Sequence, residues 1–128
     1  LEITDKLELG NMDSFRDWGH SKDYVRAMHL ILQSDTPEDW IVATGETRSV
    51  REMCDYVFGR LELDFTKYVV QNHKFMRPEE LKYLRGDASK IKDKLGWNPK
   101  YDFYELMDEM IVHWKEVYAN TIHGRLAY

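Results

Sequence analysis

A continuous apolar run, Trp40-Ile41-Val42-Ala43, closed by Thr44-Gly45, stands between two stretches of helical periodicity, and this placement constrains the fold more than any other feature. A strand apolar at every position has no wet face, so it must be covered on both sides, as in a parallel sheet flanked by helices. The stretch before it reads as an amphipathic helix from Ser21: Tyr24, Ala27, Met28, Ile31 and Leu32 recur at helical spacing, and Pro37 marks its end one turn later. The stretch after it is clearer still. Val50, Met53, Cys54, Val57, Phe58 and Leu61 fall on one stripe. Ser49 and Glu52 form a capping box at its start. The expectation is a mixed α/β fold, rich in helix, with a small sheet.

The remaining segments are shorter. Leu7 to Leu9 reads as a strand that ends at the turn-forming pair Gly10-Asn11, followed by a loop from Met12 to Gly19. Tyr68 to Val70 suits a second strand, and Arg77-Pro78 biases Arg77 to extended backbone. Asp87 is placed to cap a helix over Ala88 to Leu95, which stops at Gly96 with Pro99 beyond. Asp102 and Glu105 cap the last helix, whose stripe is Phe103, Leu106, Met107, Met110, Ile111, Trp114 and Tyr118; the polar tail after Asn120 is expected to fray. A chain of 128 residues suits one domain, 1–128, with a single modest core. Leu1 to Lys6 open without a cap or turn signal, which predicts a fragment of a longer protein.

Charge and motif content narrow the function. The net charge is -5, with Lys and Arg dispersed among acids, which argues against nucleic acid or an anionic membrane as main partner. Apolar runs of about half a dozen residues fall far short of the roughly 20 needed to span a bilayer. Cys54 is the only cysteine, so no intrachain disulfide forms, which fits a reducing cytosol and a cytoplasmic protein. Its place on the apolar stripe of a helix makes it a small buried hydrophobe rather than a nucleophile. The five histidines show no metal-ligand spacing, and the seven glycines form neither GxGxxG nor GxxxxGK[ST].

What remains is one loop dense in polar and aromatic groups: Asn11, Asp13, Arg16, Asp17, Trp18 and His20. Arg16 can grip a pyrophosphate bidentately, with Asn11 or amides near the helix start at Ser21 as further donors. Equally, Arg16 can pair with Asp17 or Asp23 while Trp18 packs in the core. Arg77 with Glu79 and Glu80 poses the same choice between an exposed ion pair and a second phosphate clamp beside an acceptor for ribose or base.

Four strings break the tie: LGNMDSFRDWGHSKDYVRAM at 9–28, ATGETRSVREM at 43–53, MRPEELKYLRGDASKIKDKLGWNPK at 76–100 and FYELMDEM at 103–110. Taken in order, they resemble the C-terminal portion of the GDP-mannose 4,6-dehydratase family, which are extended short-chain dehydrogenases/reductases. The RDWGH string with its Lys-Asp-Tyr helix start is the most specific, and the LGW-x-P segment is shared by many relatives. The resemblance implies the substrate-binding part of such an enzyme without its Rossmann cofactor half. It also implies that Arg16 contacts the GDP diphosphate with Asn11 beside it, and that Arg77 and Glu80 bind the nucleotide end of GDP-mannose. The family's NADP loop, its Thr and Glu, and its Tyr-x-x-x-Lys pair lie upstream in full-length members, and no Tyr-x-x-x-Lys occurs here. The resemblance therefore implies no cofactor held by this chain and no catalysis by it alone. Phe15, Arg48 and Glu79 stand where the family usually carries Lys, His and a small residue. An open sheet edge at Trp40 to Thr44 would recruit a second copy, giving a homo-oligomer. The alternative function is a truncated, stand-alone interaction or oligomerisation module.

Overall fold

The computed structural model describes residues 5–122. It is a mixed α/β fold in which four α-helices dominate and the strands are short. β1 (Leu7–Leu9) pairs in parallel with β4 (Val69–Gln71), in the register Leu7 to Val69 and Leu9 to Gln71. β2 (Phe15–Asp17) pairs antiparallel with β3 (Thr47–Ser49), Arg16 lying opposite Arg48. The loop expected over Met12 to Gly19 thus contains a strand. Three alternating residues were too few to show a period, and the partner that makes β2 a strand lies some thirty positions along the chain.

The helices form where their patterns place them. α1 (Ser21–Leu32) is capped by His20, whose Nδ1 accepts the Lys22 N–H at 3.0 Å. α2 (Val50–Arg60) opens on the expected capping box, with the Ser49 Oγ accepting the Glu52 N–H and the Glu52 carboxylate accepting the Ser49 N–H. α3 (Ser89–Leu95) begins one residue later than expected: Asp87 Oδ1 accepts the Ser89 N–H, and Gly96 ends the helix in the left-handed region at φ 66°. α4 (Phe103–Ile122) carries the Asp102–Glu105 capping box and runs past Asn120, while the rest of the expected frayed tail lies outside the described residues.

Among the described residues, six of the nine buried apolar side chains fall into two clusters rather than the single core expected. α2 packs with β1 and β4 around Met12, Cys54 and Val69. α1 packs with α3 around Ala27, Ile91 and Trp97. The stripes of α1 and α4 are accordingly only half used. Ala27 is fully buried, yet Met28 and Leu32 are exposed, and Met110, Trp114 and Tyr118 on α4 are exposed while Phe103 and Met107 are buried. At 100° per residue, Met28 and Leu32 lie one step round from the face that meets Ile91 and Trp97, where no described residue covers them.

The largest correction concerns Trp40 to Thr44. The segment joins no sheet, and Ile41 is exposed. A strand exists only where another backbone accepts its hydrogen bonds, and none of the described residues does so here. The open edge invoked for oligomer formation is therefore absent. Instead, Ala43 is pressed against Gly86 so closely that a Cβ built at Gly86 would stand 2.2 Å from the Ala43 Cβ. Gly86→Ala is expected to cost about 1–3 kcal/mol in urea unfolding, because the methyl overpacks the contact with the Ala43 Cβ. Gly59→Ala, inside α2 with open space around it, is expected to stabilise by about 1 kcal/mol.

Candidate functional site

β2 holds Arg16 beside the extended segment 80–86. Phe15 donates its N–H to Lys82 O at 2.8 Å and accepts the Leu84 N–H at 3.1 Å, so this segment runs as a parallel neighbour of β2. The Arg16 guanidinium then closes on it. Nη1 donates to Phe15 O at 2.7 Å and to Leu81 O at 2.8 Å, and Nη2 donates to Glu80 Oε1 at 3.0 Å. Arginine has five N–H donors, so after these three bonds the guanidinium keeps donors that no described residue accepts. Its ion-pair partner is Glu80, not Asp17 or Asp23.

The other expected residues are less tightly gathered. Asn11 spends its Oδ1 on the Asp13 N–H at 3.0 Å, and Asp13 pairs with Arg51 of α2 at 2.9 Å. The Arg51 guanidinium beside Asp13 holds that carboxyl below the usual carboxylate range. No contact among the described residues ties Asn11 to Arg16. Arg77 is exposed and makes neither hydrogen bond nor ion pair with a described residue, so the expected pair with Glu79 or Glu80 does not form and its charge is not offset locally. Its link to Arg16 is through the chain, three residues ahead of Glu80. The amides at the start of α1, considered above as donors to a ligand, are already used by His20, which accepts from Lys22 and, through its carbonyl, from Asp23. Because His20 Nδ1 accepts, its proton sits on Nε2, 3.2 Å from Glu109 Oε2.

Asp17, which the sequence offers only as a candidate partner of Arg16, has a role of its own. One of its carboxylate oxygens accepts Thr44 N–H at 2.8 Å and Thr44 Oγ1–H at 2.6 Å; the other accepts Gly45 N–H at 2.9 Å and Gly86 N–H at 3.3 Å. A signal was present in the pairs Thr44-Gly45 and Gly86-Asp87, since tight glycine turns turn several N–H groups inward and those donors need an acceptor. Trp18, beyond Asp17, is half-buried and donates its indole N–H to Arg48 O at 3.0 Å. It lines a cleft of about 300 Å³ together with Thr44, Arg48, Lys100, Tyr101 and Phe103. Burial pushes the Cys54 thiol up, which agrees with a packing role. No cluster of His, Cys, Asp and Glu able to hold a metal is present among the described residues, and no helix there is long and apolar enough to cross a membrane. The glycines of the chain form no loop of the spacing that cradles a dinucleotide's phosphates.

The family model described as GDP-mannose 4,6 dehydratase matches residues 1–110. GDP-mannose 4,6 dehydratase 1 of Arabidopsis thaliana is 45% identical over 106 residues, covering 83% of this chain and 29% of its own length. The human GDP-mannose 4,6 dehydratase is 43% identical over 122 residues, covering 82% of this chain and 33% of its own length. This chain thus spans about a third of the curated relatives it matches. Among solved structures, RMD from Pseudomonas aeruginosa complexed with NADPH superposes with a TM-score of 0.77 at 22% identity, covering 88% of this chain and 36% of that one. A dTDP-glucose 4,6-dehydratase from Bacillus anthracis in complex with NAD gives 0.75 at 20%, covering 88% and 35%. Such identities speak for the fold, that of part of an extended short-chain dehydrogenase/reductase. The family model and the plant and human relatives speak for kinship as well, and on them the chain belongs to the GDP-mannose 4,6-dehydratase family.

Proposed function

We propose that this chain is the nucleotide-sugar-binding portion of a GDP-mannose 4,6-dehydratase, which in its entirety converts GDP-mannose to GDP-4-keto-6-deoxymannose. The observation that carries the reading is the Arg16–Glu80 pair, which joins the RDWGH strand to the segment bearing Arg77. A diphosphate takes the donors that Arg16 has left over, and Arg77 supplies an uncompensated positive charge to the same anion. Glu80, one oxygen committed to Arg16, offers the other to a ribose hydroxyl or the base. Asn11, whose Oδ1 accepts the Asp13 N–H, keeps its side-chain amide N–H groups as further donors for the ligand. The chain has no Tyr-x-x-x-Lys and no base set against a nicotinamide, so it binds without turning over. Its charge pattern and lone cysteine fit a soluble cytoplasmic protein.

Calorimetric titration of GDP-mannose and of GDP into the purified chain tests this. Micromolar binding is expected, weakened at least tenfold in Arg16→Ala and in Arg77→Ala, each loss corresponding to about 1.4 kcal/mol or more. A folded chain that binds neither ligand removes the reading.

A second reading, self-association, is favoured by the exposed apolar residues Val25, Met28 and Leu32 of α1. They form an uncovered patch of the kind that seeks a partner. Light scattering at high micromolar concentration is its test, and a monomeric mass rejects it.

A further inference from the structure

We infer that Asp17 is the positioning residue of this site: its carboxylate docks the 77–86 segment onto β2 and thereby assembles Arg16, Glu80 and Arg77 on one surface. The inference deepens the nucleotide-binding reading and rests on it only for the identity of the ligand. Asp17 joins three stretches that are remote in sequence, since β2 carries it while Thr44-Gly45 and Gly86 donate to it. The 77–86 segment has few other anchors, the close approach of Gly86 to Ala43 among them. It belongs to no helix, Arg77, Leu81 and Tyr83 are exposed, and it is tied to β2 by the two backbone bonds at Phe15, the Phe15–Tyr83 ring contact at 5.7 Å, the Arg16 bonds and the Asp17–Gly86 bond. Of these anchors, the Arg16 bonds belong to the group that must also serve a ligand. Asp17 faces no such competition: its oxygens are occupied by backbone and threonine donors, and the fixed point they create lies six residues beyond Glu80.

The isosteric change Asp17→Asn replaces one acceptor oxygen by an NH2 group that points its hydrogens at donors. Amide hydrogen exchange and the Arg16 Nε–H signal, read by NMR on the whole chain, separate positioning from plain folding. In D17N the amides of Thr44, Gly45, Gly86 and, at a distance, Leu84 and Phe15 are expected to exchange at least tenfold faster, with a shifted Arg16 Nε–H. Amides in the middle of α2 and α4 are expected to keep their protection. Unchanged exchange at Leu84 and Phe15 with an unmoved Arg16 signal overturns the inference, because the carboxylate then holds only its own donors. Faster exchange spread evenly over all helices also overturns it.

If D17N does not fold, Thr44→Val decides by the same readout, since it removes one donor and leaves the carboxylate in place. Its effect is expected at the same amides but smaller, and a response confined to Thr44 and Gly45 overturns the proposal. GDP titration forms a separate arm. A wild-type chain that binds no GDP defeats the nucleotide reading and leaves the exchange result to judge Asp17, whereas equal GDP affinity in wild type and D17N overturns the positioning role.

Discussion

Trp97→Ala should unfold in urea with a stability lower by about 3–5 kcal/mol, the usual cost of emptying a buried tryptophan site. Trp97 is 1% exposed and centres the cluster that joins α1 to α3. Its indole N–H donates to Asp23 O at 3.0 Å inside the protein, and the Arg26 guanidinium lies 5.9 Å from its ring centre. Truncation therefore leaves a cavity, a carbonyl without its donor and a cation without its aromatic surface. Domains are typically stable by about 5–15 kcal/mol, so the variant would approach the point where unfolded chain is readily detected. Trp114→Ala supplies the contrast. That residue is half exposed on α4, and its loss should cost under about 1 kcal/mol. Equal effects of the two changes would mean that the α1–α3 cluster is not where the fold is held.

Asp23→Ala should come next in size, at about 3 kcal/mol, near the lower end for breaking a buried ion pair because Arg26 remains partly hydrated. Asp23 is 2% exposed. It accepts Arg26 Nη2–H at 2.7 Å on one oxygen and the Lys100 and Tyr101 N–H groups at 2.8 and 3.0 Å on the other. Arg26 also reaches Asn98 O, so this one carboxylate anchors the 97–101 loop to α1. Burial pushes the Asp23 carboxyl up, but the Arg26 guanidinium and the two backbone donors outweigh it and hold the group below its ordinary 3.8. A carboxyl depressed in the folded state contributes stability that is complete above its unfolded value and is lost as pH falls through the folded one. Urea midpoints measured from about pH 6 down to about pH 3 should drop less steeply in Asp23→Asn than in wild type. A parallel pair of curves would contradict the depressed value. Since Trp97 and Asp23 touch, the double variant should lose less than the two single losses added.

Elements set by neighbouring residues were legible in the sequence, and those that need a distant partner were not. Ser49 with Glu52 and Asp102 with Glu105 announce helix starts because a capping box closes within four residues, and Gly96 marks a stop because its left-handed backbone is a local matter. β2 was invisible for the opposite reason: three residues between turns become a strand only beside Thr47–Ser49 and the 82–84 segment. Trp40 to Ala43 misled because its pattern reports a demand for cover on both faces, while pairing depends on a second backbone that the pattern does not contain. The candidate site divides along the same line. Arg16 was legible as a cation in a polar loop, but its partner Glu80 lies 64 positions on, and the choice of Glu80 over the nearer Asp17 and Asp23 was fixed by the prior commitments of those two carboxylates.

Those commitments bear on how the protein can diverge. Three of the four groups that Asp17 accepts from are main-chain N–H, a donor that every residue but proline carries. Substitution at Thr44, Gly45 or Gly86 leaves these donors in place, subject to the room a larger side chain needs, whereas no residue other than aspartate has that short reach with two accepting oxygens. Descendants of this chain can therefore vary the periphery of the knot while its centre stays fixed, and altered ligand preference would more readily arise through changes along the 77–85 segment than through changes in what ties that segment down.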